Sequence, residues 1–140
     1  MNLRLHLFGA PRIERDGQIV HVDTRKAIAL IAYLVGQGGY QSRDTLGALL
    51  WAESDQGGAR AALRRTLSAL NAAIEGTGLL IEREAIAFDP SSLWCDVTVF
   101  TQAIAGCAGH SHDQHIVCEQ CLPLLNEAAS VYKGDFLQGF

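Results

Sequence analysis

The sequence predicts an α+β domain that opens on a small antiparallel sheet and closes on a β-hairpin, followed by helices of an all-α unit. Three observations predict it. Apolar residues alternate in "LRLHLFG" at the start, with Leu3, Leu5 and Leu7 on one side and Arg4 and His6 on the other. Apolar residues then recur at helical spacing in three successive segments. Finally, "GLLIEREAIAFDP" reads as two short strands about a turn near Arg83 and Glu84.

Each element follows from local chemistry. Asp16-Gly17 is a two-residue hairpin signal between Ile13 and "QIVHV". "TRKAIALIAYLVGQGG" changes period, with Ala27, Ile28, Leu30, Ile31, Leu34 and Val35 as the apolar set, Thr24 as candidate cap and Gly36, Gly38 and Gly39 as the stop. In "SRDTLGALLW", Ser42 is the candidate cap, Asp44 suits the first turn, and Leu46, Leu49 and Leu50 form the expected stripe. The third helix is expected from about Gln56 to Glu75, packing through Leu63, Leu67, Leu70 and Ile74. Pro90 marks a boundary, giving domains over 1–92 and 93–140. Beyond it, helices are expected from about Val97 and again over the segment ending near Lys133-Gly134. A Cys/His-rich stretch at 107–121 lies between these two helices.

Composition narrows the function. Apolar residues make up 49% of the 140-residue chain and charged ones 19%, enough for a sizeable core. No run of apolar residues is long enough to span a membrane, and the alternating N-terminus is not a secretory signal, so no membrane partner and a cytoplasmic location are expected. A net charge of −4 argues against non-specific adhesion to nucleic acid but leaves room for one basic face. Asp16, Glu53, Asp55 and Asp135 read as turn and cap residues. No phosphate-binding glycine loop or Ser-His-Asp arrangement stands out, so no enzyme is expected.

Three helices followed by a hairpin are the plan of a winged helix-turn-helix. A four-stranded N-terminal sheet before them is the OmpR/PhoB-type variety. The words "LRLHLFGAPRIERDG", "RKAIALIAYLV", "ALLWAESD", "ARAALRRTLSAL", "LWCDVTVF" and "VYKGDFLQGF", in this order, resemble the bacterial transcriptional activator domain (BTAD) regulators, which include the antibiotic regulatory proteins (SARP-like). The resemblance implies a DNA-binding winged helix, then an activator domain of tetratricopeptide-like (TPR-like) hairpins. It also implies that the chain is an N-terminal fragment of a longer regulator, one that activates transcription.

On that basis double-stranded DNA is the expected partner, with RNA polymerase contacts and a homodimer on DNA as further expectations. The third helix would enter the major groove, where Arg60, Arg64 and Arg65 supply bidentate donors and Thr66, Ser68 and Asn71 shorter polar groups. Arg83 at the wing tip would reach a minor groove or phosphate. Arg25, Lys26 and Arg43 sit near helix starts, where cation and amides together hold phosphate. The plain alternative is that these arginines form a solvated face. The sequence also departs from the family, whose members often read like "LSRLRRAL" where this chain has "LSALNAAI": Ala69, Asn71 and Ala72 stand where arginines are common. Weak binding by this domain alone is therefore expected. A winged helix serving only protein contacts is the second reading, and a zinc-responsive regulator the third.

"CAGHSHDQHIVCEQC" pairs Cys107 with His110 and Cys118 with Cys121 at two-residue spacings, seven residues apart. In a reducing compartment this spacing suits a structural Cys3His zinc site, with His112 or His115 as substitutes for His110. A metal-free insert and a redox CxxC are the alternatives. Cys95, beside Trp94, is expected to be a small core residue.

Overall fold

The structure is a computed structural model that describes residues 2–22, 25–108 and 118–140. Strands β1 (Leu3–His6), β2 (Arg12–Arg15) and β3 (Gln18–Val20) open the chain. β2 and β3 pair antiparallel in the register Ile13↔Val20, Glu14↔Ile19, Arg15↔Gln18. That register leaves Asp16 and Gly17 as the turn, at φ 51° and 83°, the twisted two-residue geometry that matches the twist of the flanking strands. The turn is tied back to Asn2, whose N–H donates to Asp16 Oδ1 at 2.7 Å.

Helix α1 (Arg25–Gln37) buries Ala27, Ile28, Leu30, Ile31 and Leu34. Its expected cap, Thr24, lies outside the described residues. The two-residue strand β4 (Gln41–Ser42) leads directly into α2 (Arg43–Leu50), whose first turn is capped by the Ser42 hydroxyl accepting from Thr45 N–H at 3.0 Å. Leu46 is buried as expected, but Leu49 is not part of the stripe: it is 51% exposed. Gly47 takes the contact position instead. A Cβ there would stand 3.2 Å from that of Ala59, so glycine lets α2 approach the next helix closely.

That next helix, α3 (Gln56–Ala73), is capped by Asp55, whose carboxylate accepts from Gly58 N–H at 2.7 Å. Leu63, Leu67, Leu70 and Ile74 are all buried. The helix stops before the expected Glu75 because Glu75 and Gly76 both take positive φ, 53° and 74°, ending the ladder in left-handed residues. Strands β5 (Leu79–Ile81) and β6 (Ala85–Phe88) follow as the hairpin. They pair antiparallel, and β4 pairs antiparallel with β6, so this sheet has the order β4-β6-β5.

After a 3-10 turn at Pro90–Ser92 comes β7 (Trp94–Cys95), then α4 (Asp96–Ala108) and α5 (Cys121–Val131). The first sheet has the order β3-β2-β1-β7. It is four-stranded, yet its fourth strand comes from beyond the hairpin rather than from the N-terminus. The expected helix from Val97 starts one residue earlier, and α5 ends at Val131, before the expected Lys133-Gly134, as Tyr132 turns extended at ψ 97°. No helix among the described residues is long and apolar enough to cross a membrane.

The chain packs as two units. One comprises Met1–Arg4 and Arg12–Trp94, the other Leu5–Pro11 and Cys95–Phe140. The division therefore differs from a cut at residue 92 by assigning a short N-terminal segment to the second unit. Within that second unit the reason is Asp96. It is 1% exposed, and its carboxylate accepts from Leu7 N–H at 2.9 Å, Phe8 N–H at 3.0 Å and Val97 N–H at 2.7 Å. A buried carboxylate is tolerated when its oxygens are this well satisfied. Phe8 packs on Phe100 and Tyr132 with ring centroids 5.3 and 5.1 Å away.

Candidate nucleic-acid interface

The first unit gathers its arginines around one cleft. Arg43 of α2, Arg60 and Arg64 of α3, and Arg83 between β5 and β6 line a cavity of about 400 Å³. Helical spacing explains the α3 pair, since residues four apart share a face. The α2 residue is there because Ser42 caps the helix while β4 binds β6. Arg43 N–H donates to Glu84 O at 3.0 Å, and its guanidinium donates to Glu82 O at 3.0 Å through Nη2. Arg43 is thus clamped to the backbone of the hairpin tip, and the hairpin brings Arg83 to the same cleft.

Two carboxylates moderate this basic cluster. Arg60 Nε donates to Asp44 Oδ1 at 2.8 Å, and Arg60 Nη2 stands 3.6 Å from Glu84 Oε2. Gln56 Nε2 also donates to Asp44 at 3.2 Å. The hydrogen bond from Arg60, then that from Gln56, holds the Asp44 carboxyl below its usual range. Arg64, Arg65 and Arg83 are exposed and hold no carboxylate among the described residues.

The other residues expected at the interface divide. Ser68 is exposed and Asn71 half-buried on α3. Arg65 is exposed but does not line the cleft. Thr66 is only 9% exposed and lies on the core side of α3, so its hydroxyl does not face solvent with the arginines. Lys26 donates through Nζ to Leu50 O, at the C-terminus of α2, and sits 5.9 Å from the Trp51 ring. A cation there stabilises the negative end of the helix dipole. Arg25 is exposed at the start of α1.

Sequence reading missed the two acids that matter most here. Asp44 was read as a first-turn residue and Glu84 as part of a turn, and both now face Arg60. A signal was available in the sequence: an acid in the first turn of the second helix and an arginine near the start of the third, on helices that follow one another closely.

In the second unit, the ends of α4 and α5 bring three cysteines together. Cys107 Sγ lies 3.7 Å from Cys121 O, Cys121 Sγ lies 3.8 Å from Cys107 O, and Cys121 N–H donates to Cys118 Sγ at 3.3 Å. Burial pushes the Cys121 thiol up, and hydrogen bonds with the Cys118 and Cys107 thiols push it further. None of the four cysteines forms a disulfide. His110, His112 and His115 lie outside the described residues. Cys95 is buried at 4% exposure, and burial raises its thiol too.

No protein-family model matches the chain, and none of the curated proteins matches it. Among solved structures it is similar to EmbR of Mycobacterium tuberculosis, determined in complex with a low-affinity phosphopeptide. The identity is 25% and the TM-score 0.73, over 97% of this chain and 37% of that one. The chain therefore spans little more than a third of EmbR. EmbR is a SARP-family regulator with an OmpR-like winged helix and a BTAD. Its architecture agrees with the α+β winged-helix fold described above. The solved structure thus belongs to the family that the sequence words of this chain resemble.

Proposed function

We propose that this chain is the DNA-binding part of a cytoplasmic transcriptional regulator of the SARP type, with α3 as the helix that enters the major groove and the β5–β6 hairpin as the wing. The observation that carries the reading is the convergence of Arg43, Arg60, Arg64 and Arg83, from three elements, on one cleft beside α3. Guanidinium groups so placed suit phosphate oxygens and guanine edges. Likeness to EmbR supports the regulator class. Arg64, Arg65, Ser68 and Asn71 reach toward the duplex, and Arg83 reaches a flanking phosphate or minor groove. Activation of transcription, dimerisation on DNA and contact with RNA polymerase extend the same reading.

The test is fluorescence anisotropy with mixed-sequence duplex at several salt concentrations, comparing the chain with Arg64→Ala/Arg65→Ala. Binding should weaken with salt. Loss of two phosphate contacts should flatten the log–log slope by about 1.8. A folded sample that binds no duplex at low salt would refute the proposal.

Two observations favour a second reading, a winged helix that docks on protein. Arg60 is already occupied by Asp44 and Glu84. Leu80 and Ile81 of the edge strand β5 are 42% and 44% exposed, an apolar edge suited to a partner surface. Leu80→Lys/Ile81→Lys discriminates: it should leave duplex affinity intact or raise it if DNA is the partner.

A further inference from the structure

We propose that Cys118 and Cys121 are a redox-active dithiol at the start of α5, which exchanges with small disulfides and closes as an intramolecular disulfide. The DNA reading does not use these residues. Cys107 of α4 lies beside them because α4 and α5 form an antiparallel hairpin: the end of α4 lies by the start of α5, while Phe100 and Tyr132 meet at the other end with ring centroids 6.2 Å apart.

Among the described residues no three His, Cys, Asp or Glu side chains are placed to hold a metal ion, so the chemistry on offer is that of the thiols with one another. The Cys121 thiol is within hydrogen-bonding reach of those of Cys118 and Cys107. Cys118 O accepts from Cys121 N–H at 3.1 Å, which closes a turn. Such a turn keeps its end Cα atoms within about 7 Å, and a disulfide bridges Cα separations of about 4.4–6.8 Å. The two sulfurs can therefore bond with little backbone movement. Their surroundings differ in the way that a dithiol pair needs. Cys118 is half-buried, and its Sγ accepts the Cys121 N–H at 3.3 Å. Gln120 makes no side-chain cap hydrogen bond, so the Cys118 sulfur is a side-chain acceptor at that helix end, where amide donors suit a sulfur that takes on negative charge. Cys121 is 2% exposed, and a small disulfide meets Cys118 first. Cys107 Sγ reaches Cys121 O at 3.7 Å, and Cys121 Sγ reaches Cys107 O at 3.8 Å, which holds the buried thiol against α4.

The step is thiol–disulfide exchange, with a low-molecular-weight disulfide as the oxidant. Cys118 Sγ attacks one sulfur of that molecule. A bond forms between them, the small S–S bond breaks, and the departing thiolate takes up the proton that Cys118 released. Cys121 Sγ then attacks Cys118 Sγ and expels the second thiolate, which takes up the Cys121 proton. Two protein thiols are oxidised to one disulfide, and the small disulfide is reduced to two thiols.

Glutathione disulfide is the probe. The full reduced chain is incubated in buffers of rising oxidised-to-reduced glutathione ratio, quenched with an alkylating reagent and mapped by peptide mass spectrometry. The expected result is a Cys118–Cys121 disulfide, with Cys95 and Cys107 alkylated, that returns to thiols in reduced buffer. Cys121→Ser should leave a stable glutathione adduct on Cys118, and Cys118→Ser should lose both the adduct and the disulfide. Cys107→Ser should keep the disulfide. Because Cys121 is buried, the map of the unsubstituted chain keeps the test independent of how its variant folds. A folded chain that stays reduced in oxidised glutathione, or one that links Cys107 to Cys121 instead, overturns the assignment.

Discussion

Arg60 Nε and Asp44 Oδ1 stand 2.8 Å apart, joining the start of α3 to the first turn of α2. Both side chains are substantially exposed, at 42% and 52%. An exposed pair contributes little to stability, so its effect falls on the charge of the cleft. Asp44→Asn should remove the nearer of the two carboxylates that hold Arg60, leaving Glu84 at 3.6 Å, and should tighten duplex binding at low salt and steepen the salt slope by up to about 0.9. Anisotropy titrations check both. An unchanged slope would show that Arg60 does not reach phosphate.

The same pair has a pH signature. Its hydrogen bonds lower the Asp44 pKa in the folded chain. Its contribution to stability is therefore present above the ordinary carboxylate pKa and lost as pH falls through the lower folded value. Carboxyl-carbon NMR should place the Asp44 midpoint below that of a solvated aspartate. Arg60→Ala should return it toward the ordinary range, since the Arg60 bond is the leading cause.

Leu70 is fully buried on α3. Leu70→Ala should destabilise the first unit by about 3 kcal/mol through lost transfer energy and a residual cavity. Urea denaturation measures this. A loss below about 1 kcal/mol would mean that the core collapses around the gap.

Asp96→Ala should cost the second unit about 3 kcal/mol or more, because Leu7 N–H, Phe8 N–H and Val97 N–H lose a charged acceptor. Amide hydrogen exchange should quicken at Leu7 and Phe8 first, while α3 keeps its protection.

Much of this was legible in the sequence because it is local. The Asp16-Gly17 turn, the Ser42 and Asp55 caps and the Leu63–Leu67–Leu70–Ile74 face depend on residues within a few positions of one another. What was not legible depends on distant partners. Asp96 carries no local signal in the sequence, and only the arrival of residues 7 and 8 makes it a buried acceptor. Thr66 looked like a polar group beside two arginines, but helix rotation turns it inward. Leu49 satisfied the helical spacing and is nonetheless exposed, since the short α2 buries only Leu46 and Gly47. Arginine positions were readable in α3, whereas their meeting with Arg43 and Arg83 required the β4–β6 pairing.

That pairing has a mechanical consequence. Gln41↔Ile86 and Ser42↔Ala85 stitch β4 to the hairpin, and the next residue, Arg43, is both the first of α2 and the holder of the Glu82 and Glu84 carbonyls. There is no slack between the hairpin tip and the helix it adjoins. A force on Arg83 is passed straight into α2, and through Gly47 against Ala59 into α3. If the cleft takes a duplex as proposed, these contacts tie the spacing of its two sides together, so a ligand of the wrong curvature would have to deform to fit.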